Sequence, residues 1–214
     1  MPNWCYTNIS FNSENKSDLE KLYNFIEKAT SNKSKYTDVS DFGSNWLGNV
    51  LLECDLMTLD DVKNNTVPCR RRGSIIYVDI TDDQVIVDTE TAWVPMMQVW
   101  QKVVEKLNLD DVDIIYTAEE PGCELYWTND PVVDGTYMIE FFAENDHERN
   151  IFNRIFESDD DSLYELTKKD IDCYTLKAKK LFPDLRSLND LYKYINDGYF
   201  VCNQYQLVDI WDLD

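Results

Sequence analysis

Residues 74–95 read SIIYVDITDDQVIVDTETAWVP. The runs 74–80 and 84–91 are rich in β-branched side chains and flank the polar stretch Thr81-Asp82-Asp83-Gln84. Two such runs around a short polar turn predict a β-hairpin. Pro95 then stands where a helix is easily entered, because its missing N–H is one that the first turn leaves unpaired anyway. Behind it Met96, Val99, Trp100, Val103 and Leu107 recur at helical spacing, and the helix is expected to end near Asn108.

The flanks extend this pattern in both directions. Residues 4–11, WCYTNISF, alternate as a strand does. Ser17 with Glu20 predicts a capping box, followed by the apolar face Leu19, Leu22, Tyr23, Ile26 and Ala29. On the other side, 113–118 (DIIYTA) and 124–128 (ELYWT) read as strands on either side of the turn signal Pro121-Gly122. The order β-α-β-β-α-β plus one strand is that of the split βαβ, or ferredoxin-like, unit. The expected class is therefore α+β: an antiparallel sheet with both helices on one face and the other face open unless something covers it.

Residues 31–72, with Gly43, Gly48 and Pro68, read as a long insertion after the first helix holding one short helix. Long irregular segments in compact domains are often functional. Further on, 136–142 (TYMIEFF) predicts a strand. Ile151, Phe152, Ile155 and Phe156 predict a helix over 147–157. Ser187 and Asp190 open another, faced by Leu188, Leu191, Tyr192 and Ile195 and stopped by Gly198. The expected organisation is a core of 1–135 and a mainly helical extension of 136–214 packed on it.

The 214 residues contain no apolar run near the ~18 of a transmembrane helix. MPNWCYTNIS has neither a basic nor an apolar leader region, so a cytoplasmic location is expected. Cys5, Cys54, Cys69, Cys123, Cys173 and Cys202 are scattered without CxxC spacing, as free thiols of a reduced compartment are. Charge is the strongest compositional feature. Twenty basic against 41 acidic residues give −21; residues 110–165 carry 17 acidic residues and two arginines, whereas the first fifty residues balance to −1. Such a field repels phosphate backbones and anionic membranes and attracts basic surfaces.

Motifs for nucleotide, phosphate, zinc or acyl chemistry (GxGxxG, GxxxxGK[ST], HExxH, GxSxG) do not occur. His147, the sole histidine, sits in AENDHERN, which reads as an exposed helix start. Asp159-Asp160-Asp161, Asp110-Asp111-x-Asp113 and Asp209-x-x-Asp212-x-Asp214 offer the oxygen ligands that hard cations prefer, but without the glycine and terminal glutamate of a calcium loop. They read as solvated loops, and no cofactor is expected. Glu119 and Glu120, consecutive on a strand, face opposite sides and make a poor acid–base pair. Tyr77, Tyr116, Tyr126 and Trp127 are either stacking aromatics of an open sheet or, more commonly, core. Arg70-Arg71-Arg72 either grips a phosphate or pairs with nearby acid; pairing is the expectation.

The opening MPNWC, the segment TAWVP at 91–95 and YTAEEPG…LYWTND at 116–130 together resemble the YubB-type ferredoxin-like family of plasmid and phage proteins, over about residues 1–130. The resemblance implies a ferredoxin-like fold and a mobile-element origin in a bacterial host. It carries no catalytic role to Trp4, Trp93, Pro95, Glu119, Glu120 or Gly122, which fit strand ends, a helix start and a tight turn.

Acidity and resemblance together lead to the expectation of a non-enzymatic binding protein. It would inhibit a host nucleic-acid-binding protein, of the defence, CRISPR or restriction type, by occupying its basic groove as a nucleic-acid mimic. The carboxylates expected to touch the partner are Asp110, Asp111, Asp113, Glu119, Glu120, Glu124, Glu157, Asp159, Asp160 and Asp161. The open sheet face or the 31–72 insertion would supply the apolar anchor of a tight interface. Neither direct nucleic-acid binding nor membrane binding is expected. The alternatives are a metal-dependent hydrolase using the clustered aspartates and a self-associating accessory protein.

Overall fold

A computed structural model describes residues 3–31, 43–66, 70–158, 160–195, 198–210 and 213. The chain is mixed α+β and divides into two compact units, residues 1–130 with 208–214, and residues 131–207.

In the first unit, β1 (Trp4–Asn12) is central. It pairs antiparallel with β3 (Gln84–Ala92) on one side and β4 (Asp113–Glu120) on the other. β2 (Gly73–Ile80) pairs outside β3, and β5 (Leu125–Thr128) outside β4, giving the order β2-β3-β1-β4-β5. The hairpin of β2 and β3 turns through Thr81–Asp83, where the Thr81 N–H donates to the Gln84 carbonyl at 2.8 Å.

Alternation along β1 sends Cys5, Ile9 and Phe11 inward and leaves Tyr6 and Asn8 exposed. The inward face is covered by α1 (Lys16–Thr30), through Leu19, Leu22, Ile26 and Ala29, and by α4 (Met97–Lys106), through Val99, Trp100 and Val103. Trp100 meets Phe11 edge-on at 5.5 Å. The cap of α1 differs from expectation. Asn15, not Ser17, is the N-cap and accepts from the Ser17 N–H at 3.1 Å, because the helix begins one residue before Ser17.

The insertion forms two short helices, α2 (Gly48–Glu53) and α3 (Leu59–Asn64), rather than one; 32–42 and 67–69 lie outside the described residues. Gly48 is required by contact: a Cβ there would come within 2.3 Å of the Trp46 ring. Trp46 in turn bridges Ser74 at the outer edge of β2, and the Leu47 N–H donates to the Gly73 carbonyl at 2.9 Å. Part of an edge that would otherwise present unpaired backbone is thereby occupied.

The end of the chain belongs to this unit and not to the extension expected for 136–214. The Val208 N–H donates to the Thr128 carbonyl at 2.8 Å, the Tyr116 hydroxyl to the Val208 carbonyl at 2.9 Å, and Ile210 and Leu213 are buried in the same core.

The second unit is rich in helix, as expected, but its helices accompany a sheet of three strands where the sequence predicted a single strand at 136–142. β6 (Tyr137–Phe142) lies between β7 (Ser162–Leu166) and β8 (Tyr199–Gln204), both antiparallel to it. α5 (Asp146–Phe156), α6 (Lys168–Leu181) and a 3₁₀ segment at Leu188–Tyr194 complete it around Phe141, Phe152, Phe156 and Phe200. The helix expected after Ser187 is that 3₁₀ segment. Ser187 and Asp190 stand at its start as expected, Asp190 accepting from the Ser187 N–H at 3.2 Å.

Among the described residues no cysteine is in a disulfide. Cys5, Cys54 and Cys202 are buried, and burial pushes their thiols up to about 12, 11 and 11. Cys123 and Cys173 are exposed. In a Cys69→Ser background, a thiol reagent at pH 8 is expected to label two groups promptly and the remaining three only after unfolding, since the thiolate is the reactive form. Hydrogen bonding to Glu120 raises the Cys123 pKa, so its labelling rate should go on rising above pH 8. Prompt labelling of four or five thiols would contradict the buried core.

Candidate binding surface

The sheet face opposite α1 and α4 has an unusual composition. β1 to β5 contain Asp79, Asp88, Glu90, Asp113, Glu119 and Glu120 and not one Lys, Arg or His. Strand register decides where these fall. Tyr6 on β1 is opposite Glu90 of β3 and Glu119 of β4, and Asn8 is opposite Asp88. Neighbouring strands lie about 4.8 Å apart and next-nearest residues along a strand about 6.6 Å. Glu90 and Glu119 are thus set about 10 Å apart across Tyr6, with Asp88 one pleat along.

Each group is held. The Asn8 amide donates to Asp88 at 2.7 Å. Tyr6 is hydrogen-bonded to Glu90, which holds its hydroxyl pKa above the ordinary phenol value. The Tyr77 hydroxyl donates to Asp79 at 3.0 Å and its pKa is raised for the same reason. A bulge between Ile75 and Tyr77 places two successive exposed residues, Ile76 and Tyr77, on the edge strand. A groove of about 290 Å³ runs over this face between Tyr6, Asn8, Ile76, Asp88, Thr117 and Glu119. Tyr6 is 53% and Ile76 56% exposed, so apolar surface lies open among the acids.

The ten carboxylates singled out from the sequence do not form one surface. Asp110, Asp111 and Asp113 are exposed at the start of β4 and line a wide polar recess of about 920 Å³ with Glu14 and Asp83. Glu119 and the exposed Glu124 lie at its far end, about 20 Å away at the rise of a strand. Glu120 is not a surface residue at all. It is 2% exposed, with Oε1 accepting from the Gly122 N–H at 3.0 Å, so its role is to hold the turn into β5. Glu157, Asp160 and Asp161 are exposed in the second unit, Glu157 paired with Lys177 at 3.0 Å and Asp161 with Arg149 at 3.5 Å. Asp159 lies outside the described residues.

Of the strand aromatics, Tyr116 and Tyr126 are core at 1% and 2% exposure, Trp127 is half-buried and Tyr77 is open. Tyr6, Asn8, Asp88 and Glu90 are not among the residues that the sequence singles out. Their signal was present in the outward positions of strands lacking any basic residue. His147 is exposed in the first turn of α5, as expected. Among the described residues no group of three or more His, Cys, Asp or Glu comes together where a metal ion could be held. Nor, among them, is any helix long and apolar enough to cross a membrane.

No model of a known protein family and no curated protein matches the sequence.

Proposed function

We propose that the protein is a non-enzymatic binding protein that engages a basic protein surface through the open face of its first sheet. The observation that carries this reading is the absence of Lys, Arg and His from β1 to β5, combined with Asp88, Glu90 and Glu119 around exposed Tyr6. A sheet that stacks nucleic-acid bases needs basic residues to neutralise phosphates. This one has the aromatics and the opposite charge, which suits guanidinium and ammonium groups. The net charge of −21 adds long-range steering toward such a partner.

We read the strand order β2-β3-β1-β4 and the two helices on one face as ferredoxin-like. With the resemblance at 1–130 to phage and plasmid proteins, the partner class is a nucleic-acid-binding protein of a bacterial host, whose basic groove the acidic face would occupy. The contact carboxylates then move from the ten residues expected to Asp79, Asp88, Glu90 and Glu119, with Tyr6, Ile76 and Tyr77 as the apolar part.

The test is retention of lysate proteins on the immobilised chain, eluted with a salt gradient and challenged with DNA. A nucleic-acid-binding protein retained stoichiometrically, competed off by DNA and lost from the triple variant Asp88→Lys, Glu90→Lys, Glu119→Lys is the expected result. Retention unchanged by the triple variant, with the melting temperature also unchanged, would place the interface elsewhere.

A further inference from the structure

The first unit has a further recess whose chemistry is opposite to that of the acidic face. Trp4 at the start of β1, Trp93 just after β3, and Trp46 at the β2 edge line one cavity of about 770 Å³ together with Arg70, Arg71 and Arg72. Three indoles and three guanidiniums converge there from four separate stretches of sequence. Trp4 is 39% and Trp93 48% exposed, so two ring systems are accessible. The Arg71 guanidinium lies 5.6 Å from the centre of the Trp46 ring, and Asp61 lies close enough to feel its charge. Among the described residues no ion pair involves Arg70 or Arg72, both of which are exposed. Among the described residues, the expected acidic neighbour is seen for Arg71, in Asp61.

The backbone here is also held in a costly form. Trp93 has φ 76°, a left-handed conformation that bulky side chains rarely adopt, and its N–H donates to the Asn3 carbonyl at 2.9 Å. The Ala92 N–H donates to the Arg72 carbonyl at 2.9 Å, which ties the arginine run to the end of β3.

We propose that this cavity binds a free nucleotide, its phosphate held by Arg70 and Arg72 and its base stacked on the indoles of Trp4 and Trp93. Guanidinium forks match phosphate oxygens in pairs, and indole faces stack on any base. The volume lies within the range of small-molecule pockets and far exceeds what inorganic phosphate needs. An acidic peptide would use the arginines and leave the indoles unexplained. The overall charge of −21 does not forbid an anion, because charges more than about 8 Å away are largely screened at physiological salt and the charged side chains lining the cavity are the arginines. None of these residues belongs to the acidic groove, so each site can fail without the other.

Titration calorimetry and tryptophan quenching on the full chain test the proposal, with AMP, GMP, CMP and UMP against adenosine and inorganic phosphate. At least one nucleotide is expected to bind saturably, at least tenfold more tightly than either fragment. Arg70→Ala with Arg72→Ala should weaken it tenfold or more. Trp93→Gly should do the same, and glycine keeps the positive φ, so the fold is preserved; unchanged melting would show it. Absence of saturable binding at millimolar nucleotide, phosphate binding as tightly as the nucleotide, or affinity untouched in both variants would overturn the proposal.

Discussion

Alanine at Trp100 is expected to cost about 3–5 kcal/mol of stability, the usual penalty for removing a large buried aromatic. Trp100 is 1% exposed at the centre of α4 and meets Phe11 edge-on at 5.5 Å, so the cavity left would open between the helix and the central strand. β1 and α4 cannot move together to close it without breaking the pairing of β1 with β3 and β4. Urea denaturation followed by circular dichroism would measure the loss. A cost under about 0.5 kcal/mol, the range of surface positions, would mean that α4 does not pack as described. Trp93 supplies the contrast: 48% exposed and outside the core, its removal should leave the midpoint almost unmoved.

Phe152→Ala is expected to have an effect of similar size in the second unit, again about 3–5 kcal/mol. Phe152 is fully buried, its ring 4.4 Å from that of Phe141 and 6.2 Å from those of Phe156 and Phe200. The four rings join α5 to β6 and β8, so one truncation loosens the helix and both strands. Amide exchange should report it first across 137–142 and 199–204, where β6 and β8 pair. If protection there is unchanged in the variant, the aromatic cluster is not what holds this sheet.

The first unit was largely legible in the sequence because its strands alternate and its helices carry broad apolar stripes. Phe11, Val85, Val87, Trp100 and Tyr116 are all buried where period-two and period-3.6 patterns put them. α6 was missed for a physical reason. Only Ile171 and Ala178 of its fourteen residues are buried, too thin a stripe to stand out. β7 was hidden likewise, since none of its five residues is fully buried. The acidic face needed one fact that alternation cannot supply, namely which side of the sheet the helices cover. The tryptophan–arginine cavity was beyond sequence reading altogether. Trp4, Trp46, Arg70–Arg72 and Trp93 become neighbours only because β1, β2 and β3 align their ends and the insertion folds back on the edge.

The return of residues 208–213 to the first unit has a consequence for how the molecule is made. A ribosome releases the chain in one direction, so β1 to β5 emerge long before Ile210 and Leu213 arrive to seal their core. The whole of 131–207 is translated in between. A nascent chain halted at residue 130 would have its sheet and helices yet expose the apolar seat of those two side chains, together with a Tyr116 hydroxyl still waiting for the Val208 carbonyl. Maturation of the first unit is thereby tied to completion of the second.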